Sequence, residues 1–196
     1  MRKDYEIILN LIPENSKVLD IGCSDGELIT YLENKGVSAQ GVELNQEKVI
    51  KCLEKGLDVI HGDINLIVED FPFNQFDYCL LTQTIQAVQE PDRLLNTLKK
   101  VSKNIIVSFN NSARLSKISN FLLTGSFDSL LKKADSDHWY NTNYIHPCSI
   151  KDFKKLATDL DLKIISTFDV LTQKKFENGK IPSNLFCKEV LFRITN

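Results

Sequence analysis

The stretch from residue 18 to residue 32 constrains the fold of this chain more than any other. It opens with a short apolar run that ends in the carboxylate of Asp20. The chain then turns through Gly22, Ser24 and Gly26 and continues with apolar residues at helical spacing. A buried strand, a tight glycine turn and a helix form the first βα unit of a doubly wound α/β fold. Ligands of such folds lie beyond the carboxyl ends of the strands, so we expect any ligand to lie over this turn.

The glycine turn does not fit a dinucleotide-binding fingerprint, which needs a third glycine three residues after the second. If Ser24 takes the place of the second glycine, the third position falls on Glu27. The carboxylate of Asp20 would also repel a pyrophosphate at the N-terminus of the helix. A ligand that carries a cation fits this corner better, and an ordinary α/β turn without a ligand is the alternative.

Two further carboxylates follow predicted strands. Glu43 ends a short strand about 20 residues after the first glycine, where an acid accepts hydrogen bonds from ribose hydroxyls in nucleoside-binding folds. An acid at the surface end of a strand is the other interpretation of Glu43. Asp63 follows the third strand, where it can accept a hydrogen bond from an adenine amino group while Ile64 packs against the ring.

The rest of the chain alternates between predicted strands and helices, so we expect a mostly parallel sheet. Asn45, Pro91 and Ser149 each begin a helix, and the helix after Asn45 is expected to turn Val49, Ile50 and Leu53 inward. The last strand is expected to run antiparallel to the others. The predicted helices include 4–12 and 26–35, and the predicted strands are 17–21, 37–43, 57–60, 76–82, 104–109, 162–170 and 185–194.

Composition narrows the class of protein. With 196 residues, 42% hydrophobic and 26% charged, the chain is predicted to be one globular domain spanning residues 1–196. The net charge of −2 gives no electrostatic basis for binding nucleic acid, and no apolar stretch approaches the length that spans a membrane. Five scattered cysteines without a Cys-x-x-Cys pair favour a reducing cytoplasm over a disulfide framework.

Between residues 110 and 147 the alternation of strands and helices breaks. This insertion carries the single Trp and two of the three His residues, and polar and aromatic groups concentrated on a loop favour binding. Insertions after the fourth and fifth strands of such folds usually form a lid and the pocket of the substrate that accepts the transferred group, so we interpret residues 110–147 as a lid on this acceptor side of the site.

The stretch Asp-Ile-Gly-Cys-Ser-Asp-Gly at 20–26 resembles motif I of the class I S-adenosylmethionine (SAM) methyltransferases. The fourth strand with Gln83-Thr84 resembles motif IV, without the Asn-Pro-Pro-Tyr signature of amide and adenine amino methylation. The resemblance implies a Rossmann-like fold with a seven-stranded, mostly parallel sheet, helices on both faces and an antiparallel last strand. It also implies that the glycine turn wraps the methionine half of the cofactor, which carries an ammonium, a carboxylate and a sulfonium.

Longer motifs resemble the methionine-biosynthesis MetW family over essentially the whole chain. Two departures are Ser24 in place of a glycine and Asn-Asn-Ser-Ala at 110–113 in place of a turn with proline and aromatic residues. The matching motifs are Gly-Val-Glu at 41–43, Lys-Gly-Leu-Asp-Val-Ile-His-Gly-Asp at 55–63, Phe-Asp-Tyr-Cys-Leu-Leu-Thr-Gln-Thr-Ile-Gln at 76–86, Val-Ser-Phe at 107–109 and Trp-Tyr-Asn-Thr-Asn-Tyr-Ile-His-Pro-Cys-Ser-Ile-Lys-Asp-Phe at 139–153.

The resemblance implies a protein that binds SAM, or S-adenosylhomocysteine as its product form, and that supports homoserine O-acylation with a homoserine acyltransferase. A methyltransferase acting on an unidentified small molecule and a SAM-sensing regulatory subunit are the two alternatives. If methyl transfer occurs, His146 and Tyr140 are the candidate general bases, and a loop-fixing role is the alternative for His146. The implied cofactor contacts are Asp20, Gly22, Cys23, Ser24, Gly26, Glu43, Leu44, Gly62, Asp63, Ile64, Thr82 and Gln83.

Overall fold

A single sheet organises the computed structural model, which describes residues 1–127, 146–176 and 182–196. Its strands are β1 (Lys17–Ile21), β2 (Ser38–Glu43), β3 (Val59–His61), β4 (Phe76–Thr82), β5 (Ser102–Asn110), β6 (Lys163–Asp169) and β7 (Glu189–Thr195). They lie in the order β3-β2-β1-β4-β5-β7-β6. The strand β7 is antiparallel to β5 and β6, and the other pairs are parallel. The predicted seven-stranded sheet with an antiparallel last strand is confirmed.

Helices connect the strands and cover both faces of the sheet. No helix within the described ranges is long and apolar enough to cross a membrane. The described helices are α1 (Lys3–Leu11), α2 (Glu27–Asn34), α3 (Gln46–Glu54), α4 (Ile64–Ile67), α5 (Pro91–Val101), α6 (Leu115–Thr124), α7 (Ile150–Asp159) and α8 (Pro182–Phe186).

The strands are buried on both faces because alternate side chains enter two apolar cores. In β1, Leu19 belongs to the core that also contains α5 and α7 residues, whereas Val18 belongs to the core beneath α1 and α2. The first core includes a cluster of three fully buried rings, Phe109, Phe153 and Phe192, whose centroids lie 4.7–5.9 Å apart. This cluster ties α7 to β5 and β7.

The predicted caps of two helices are confirmed. The side chain of Asn45 accepts a hydrogen bond from the backbone N–H of Lys48, at the start of α3. Ser149 and Asp152 form a reciprocal capping box at the start of α7. Both caps fix where a helix begins after a polar loop.

The predicted inner face of α3 is wrong at two positions. Val49 is buried, but Ile50 and Leu53 are 48% and 56% exposed. Cys52 takes the inner place because α3 packs closely against the glycine turn, where a Cβ atom on Gly26 would lie 3.1 Å from the Cys52 Sγ. A small side chain fits this close approach.

The last strand starts later than predicted. Leu185 and Phe186, assigned to a strand from the sequence, belong to helix α8, and β7 begins at Glu189. Proline at the first position of α8 is favourable there because that position has no intrahelical use for an N–H group.

We expect the Phe192→Ala substitution to lower the free energy of unfolding by about 3–5 kcal/mol, because it leaves a cavity between two rings that cannot collapse without moving the sheet. Denaturant unfolding measures this loss. The matched control is Phe73→Ala, since Phe73 is 75% exposed and its removal should cost less than about 0.5 kcal/mol. Equal losses in the two variants would contradict this account of the core.

Candidate functional site

A cavity of about 690 Å³ opens at the carboxyl ends of the first strands of the sheet. Four segments line it: residues 21–22 after β1, residues 42–45 with Lys48 after β2, residues 62–65 after β3, and Thr84 with residues 87–89 after β4. The cavity therefore lies where ligands of doubly wound folds bind.

In the glycine turn beside the cavity, every second residue from position 22 to position 26 adopts the left-handed backbone conformation. Gly22, Ser24 and Gly26 have φ angles of 74°, 56° and 77°. A Cβ atom at position 22 would lie 2.7 Å from Thr84 Oγ1, so only glycine fits there. Ser24 adopts the left-handed conformation at a cost of about 1–2 kcal/mol, which other contacts of the turn must offset.

Glu43 supplies one of those contacts. Its carboxylate is buried, with Oε2 2.8 Å from the Ser24 backbone N and Oε1 2.8 Å from the Asn45 backbone N. A carboxylate has about four lone-pair sites, so these two hydrogen bonds leave acceptor capacity. Glu43 also lines the cavity, which makes it available to the hydroxyl groups of a ligand.

The far end of the cavity combines a carboxylate with apolar side chains. Asp63 caps α4, because its Oδ1 accepts hydrogen bonds from the backbone N and the side-chain Nδ2 of Asn65. Oδ2 takes part in neither bond. Leu44, which is 65% exposed, and Ile64 line the same cavity, as does Gly62. This arrangement suits a flat apolar ring that carries an amino group.

Asp20 lies outside the lining and is almost fully buried, at 2% exposed. Its Oδ1 has no hydrogen-bond partner among the described residues. Burial raises the pKa of Asp20 from 3.8 to about 7, Arg2 opposes that rise, and the negative charges of Glu43 and Asp4 add to it. The carboxyl group is thus destabilised in its charged form and would gain from a cationic partner.

Three other predicted cofactor residues also lie outside the cavity lining. Cys23 is buried, and burial raises the pKa of its thiol, so it is an unreactive core residue. Ser24 contacts Glu43 and Cys52 through its backbone. Gly26 starts α2, and a Cβ atom there would overlap Leu57 Cδ1 at 2.3 Å. In the described contacts these residues shape the turn.

Thr82 and Gln83 lie beside the cavity at the end of β4 and do not line it. Thr82 Oγ1 is buried without a hydrogen-bond partner among the described residues. Gln83 has a positive φ of 59°, and its side chain donates to Glu189 Oε1 at 2.6 Å and accepts from Asn110 at 2.9 Å. The cluster of Gln83, Asn110 and Glu189 forms a polar surface at the ends of β4 and β5.

His146 is held against the turn that follows β4. Its backbone N lies 3.1 Å from Gln86 O, and its Nε2 lies 3.1 Å from Gln89 O, so Nε2 carries the proton in that contact. Gln86 Nε2 donates in turn to His146 O. These contacts fix a turn whose residues 87–89 line the cavity. Tyr140, the other candidate base, and residues 128–145 of the predicted insertion lie outside the described residues.

Sequence reasoning missed several residues of the cavity wall. Thr84 is the most informative, because its Oγ1 donates to Ile21 O at 3.0 Å and so joins the ends of β1 and β4. No sequence pattern predicts Thr84 as a lining residue, because its position depends on the close packing of the turn after β4 against Gly22. The other lining residues absent from the predicted set are Ile21, Val42, Asn45, Lys48, Asn65, Ala87, Val88 and Gln89.

The family model described as "Methionine biosynthesis protein MetW" matches residues 2–194 of the chain. The chain is 32% identical over 170 residues to the "Bifunctional methionine biosynthesis protein MetXA/MetW" of Rhodopirellula baltica. That match covers 82% of this chain and 27% of the relative, so the chain spans about a quarter of the relative's length.

Solved structures of SAM-dependent methyltransferases share the fold. One from Methanosarcina mazei aligns with a TM-score of 0.71 at 18% identity, covering 97% of this chain and 96% of that one. Another from Mesorhizobium loti aligns with a TM-score of 0.69 at 11% identity, covering 99% and 98%. The predicted class I methyltransferase fold is confirmed by these alignments and by the order of the strands.

We expect the Asp20→Asn substitution to raise the free energy of unfolding at pH 8 by roughly 1–4 kcal/mol. The folded protein keeps the Asp20 proton up to about pH 7, whereas the unfolded chain loses it near 3.8, so wild-type stability falls as the pH rises through this interval. The advantage of the variant should therefore shrink as the pH falls from 7 towards 4. Denaturant unfolding at several pH values tests this.

Asp70→Asn is the matched control, because Asp70 is exposed and its substitution should leave the pH dependence unchanged. A pH profile of Asp20→Asn that runs parallel to the wild-type profile would contradict the assignment.

Proposed function

This chain belongs to the methionine biosynthesis protein MetW family, and from that premise we propose that it binds SAM in the cavity and supports homoserine O-acylation with a homoserine acyltransferase. The observation that carries the cofactor proposal is the placement of Glu43 and Asp63 in one cavity, at the ends of neighbouring strands. The partner proposal rests on the family and on the relative whose name joins MetXA and MetW.

The donor set supports a nucleoside without phosphates. Glu43 offers acceptor sites for ribose hydroxyls, and Asp63 offers an oxygen for the adenine amino group. Leu44 and Ile64 provide apolar surface for the ring. A pyrophosphate would face two carboxylates in the same cavity, with Lys48 as the single basic residue of the described lining.

The methionine end of the cofactor is assigned to the corner next to Asp20. The buried Oδ1 of Asp20 lacks a partner among the described residues, and an ammonium group would compensate its charge. The left-handed turn at Gly22 keeps side-chain bulk out of this approach. When bound, SAM supplies an electrophilic methyl group on a sulfonium, and the residues of the chain supply orientation and exclude water.

A methyltransferase acting on a small molecule is the second candidate. The polar cluster of Gln83, Asn110 and Glu189 favours it, because this cluster gives an acceptor molecule hydrogen-bonding groups beyond β4 and β5. His146 contributes less to that chemistry, since Nε2 already contacts Gln89 O. We assign His146 to positioning the cavity wall.

The first experiment is thermal unfolding with SAM, S-adenosylhomocysteine and NAD. A ligand at a hundred times its dissociation constant adds about 2.7 kcal/mol to the free energy of unfolding. We expect an upward shift of the midpoint with SAM and S-adenosylhomocysteine and none with NAD. The absence of a shift with the first two ligands would refute the cofactor proposal.

We expect Glu43→Gln to weaken the binding of S-adenosylhomocysteine by roughly 10- to 100-fold, since hydrogen bonds to a charged group contribute about 1.5–3 kcal/mol. Isothermal titration calorimetry measures the dissociation constant. Glu47→Gln is the control, because Glu47 is exposed on the next helix and should keep wild-type affinity. Unligated midpoints of both variants separate lost binding from lost folding.

The partner proposal is tested with purified homoserine acyltransferase from the same source. We expect the chain to co-purify with the enzyme and to increase the rate of homoserine acylation. A change in this rate that depends on SAM would identify the chain as a SAM sensor for the acyltransferase. Unchanged acylation with no complex would reject the partnership, and S-adenosylhomocysteine formed only with a defined acceptor would then identify a methyltransferase.

A further inference from the structure

The residue directly before the first turn of α1 is an arginine with unused hydrogen-bonding capacity. Arg2 donates to both carboxylate oxygens of Asp4, from Nε at 3.1 Å and from Nη2 at 2.5 Å, and its Nη1 lies 3.2 Å from the Tyr5 hydroxyl. These described bonds use three of the five N–H groups of the guanidinium. The side chain of Arg2 is 41% exposed, so its remaining N–H groups are accessible from solvent.

The same turn lies above the buried Asp20. Tyr5 and Ile8 of α1 belong to one core with Val18 of β1. Side chains of a strand alternate between its faces, so Asp20 points to the same face as Val18, one step nearer the carboxyl end. Arg2 and Asp4 also face Asp20 closely enough to act on its pKa. The turn therefore brings a guanidinium within electrostatic range of a buried carboxyl whose Oδ1 has no partner among the described residues.

The position of Arg2 is fixed by its surroundings. Asp4 is buried, at 1% exposed, and the guanidinium lies over the Tyr5 ring at 4.6 Å. The helix itself is anchored at several points: Lys35 Nζ donates to Leu9 O and Ile12 O, and Lys3 Nζ donates to Leu171 O at 2.7 Å. A fixed guanidinium loses little conformational entropy when it binds a ligand.

The amino-acid end of SAM carries opposite charges on neighbouring groups. A guanidinium is the side chain that best matches a carboxylate, through two parallel hydrogen bonds. An acceptor such as Asp20 matches the ammonium beside it. The corner formed by Arg2 and Asp20 is therefore complementary in charge to the amino-acid end of SAM. It does not recognise the adenosine part of the ligand.

We propose that Arg2, positioned by Asp4, binds the carboxylate of the methionine portion of the cofactor. The inference rests on the proposed function, because it places a second contact set at the other end of the same ligand. It makes α1 part of the binding site, and Asp4 a positioning residue that acts through Arg2. A purely structural ion pair that holds α1 on the sheet is the competing explanation.

Two ligands separate these explanations. S-adenosylhomocysteine has the amino-acid end, whereas 5′-methylthioadenosine keeps the adenosine and lacks the amino acid. We expect Arg2→Ala to weaken S-adenosylhomocysteine by about 10- to 100-fold in calorimetry. The affinity for 5′-methylthioadenosine should stay within about twofold, since its contacts lie at Glu43 and Asp63.

Two further variants keep the test decisive. Arg2→Lys keeps the charge beside Asp4 but loses the planar fork, so it should fold and should show a smaller loss that is still confined to S-adenosylhomocysteine. Arg93→Ala removes an exposed arginine paired with Glu69 and Glu90 and should leave both affinities unchanged.

Equal weakening of both ligands by the Arg2 variants would show that Arg2 only holds α1, and unchanged affinity for S-adenosylhomocysteine would likewise overturn the inference. If the wild-type chain binds neither ligand, the proposed function fails together with the inference. If it binds both and the Arg2 variants do not discriminate between them, the inference alone fails.

Discussion

The shape of the candidate site depends on the two hydrogen bonds that Glu43 accepts, because they connect the turn after β1 to the start of α3. One reaches the backbone N–H of Ser24 in the turn after β1, and the other reaches the backbone N–H of Asn45 before α3. The first bond fastens a serine that sits in a strained left-handed conformation, and the second orients the start of the helix that packs on the same turn. Any ligand that binds Glu43 therefore acts on a residue that already sets the shape of the cavity floor.

Asp20, the second buried carboxyl group near the glycine turn, differs from Glu43 in its hydrogen bonding. Glu43 has its backbone donors in place, whereas the Oδ1 of Asp20 is buried without a partner in the described part of the chain. A buried carboxyl of this kind lowers the stability of the folded protein near neutral pH and is tolerated where a ligand restores the balance. In the proposed site, backbone donors thus already order Glu43, whereas a charged ligand would compensate Asp20.

Regular patterns made much of this structure predictable from the sequence. The strand at 17–21 and the carboxylates of Glu43 and Asp63 were predictable because parallel strands end at one edge of the sheet, and a residue that closes a strand is placed by that rule. Thr84 was not, because the turn after β4 has no periodic pattern and its position depends on close packing against Gly22. The face of α3 was mispredicted since hydrophobicity favoured Ile50 over Cys52, while the room left by the glycine turn decided the packing. The family resemblance is confirmed, and the roles of individual site residues stay predictions.

The position of β7 has a consequence for how the chain assembles. It follows β6 in the sequence but lies between β5 and β6 in the sheet. During synthesis β6 therefore emerges before the strand that joins it to the sheet exists, and until then β5 presents an unpaired edge. The same strand completes the cluster of three buried rings, because Phe192 lies in β7 and packs against Phe109 and Phe153. Closure of this half of the sheet is thus a late, long-range event, and the apolar edge that precedes it is where a nascent chain would first need protection from other chains.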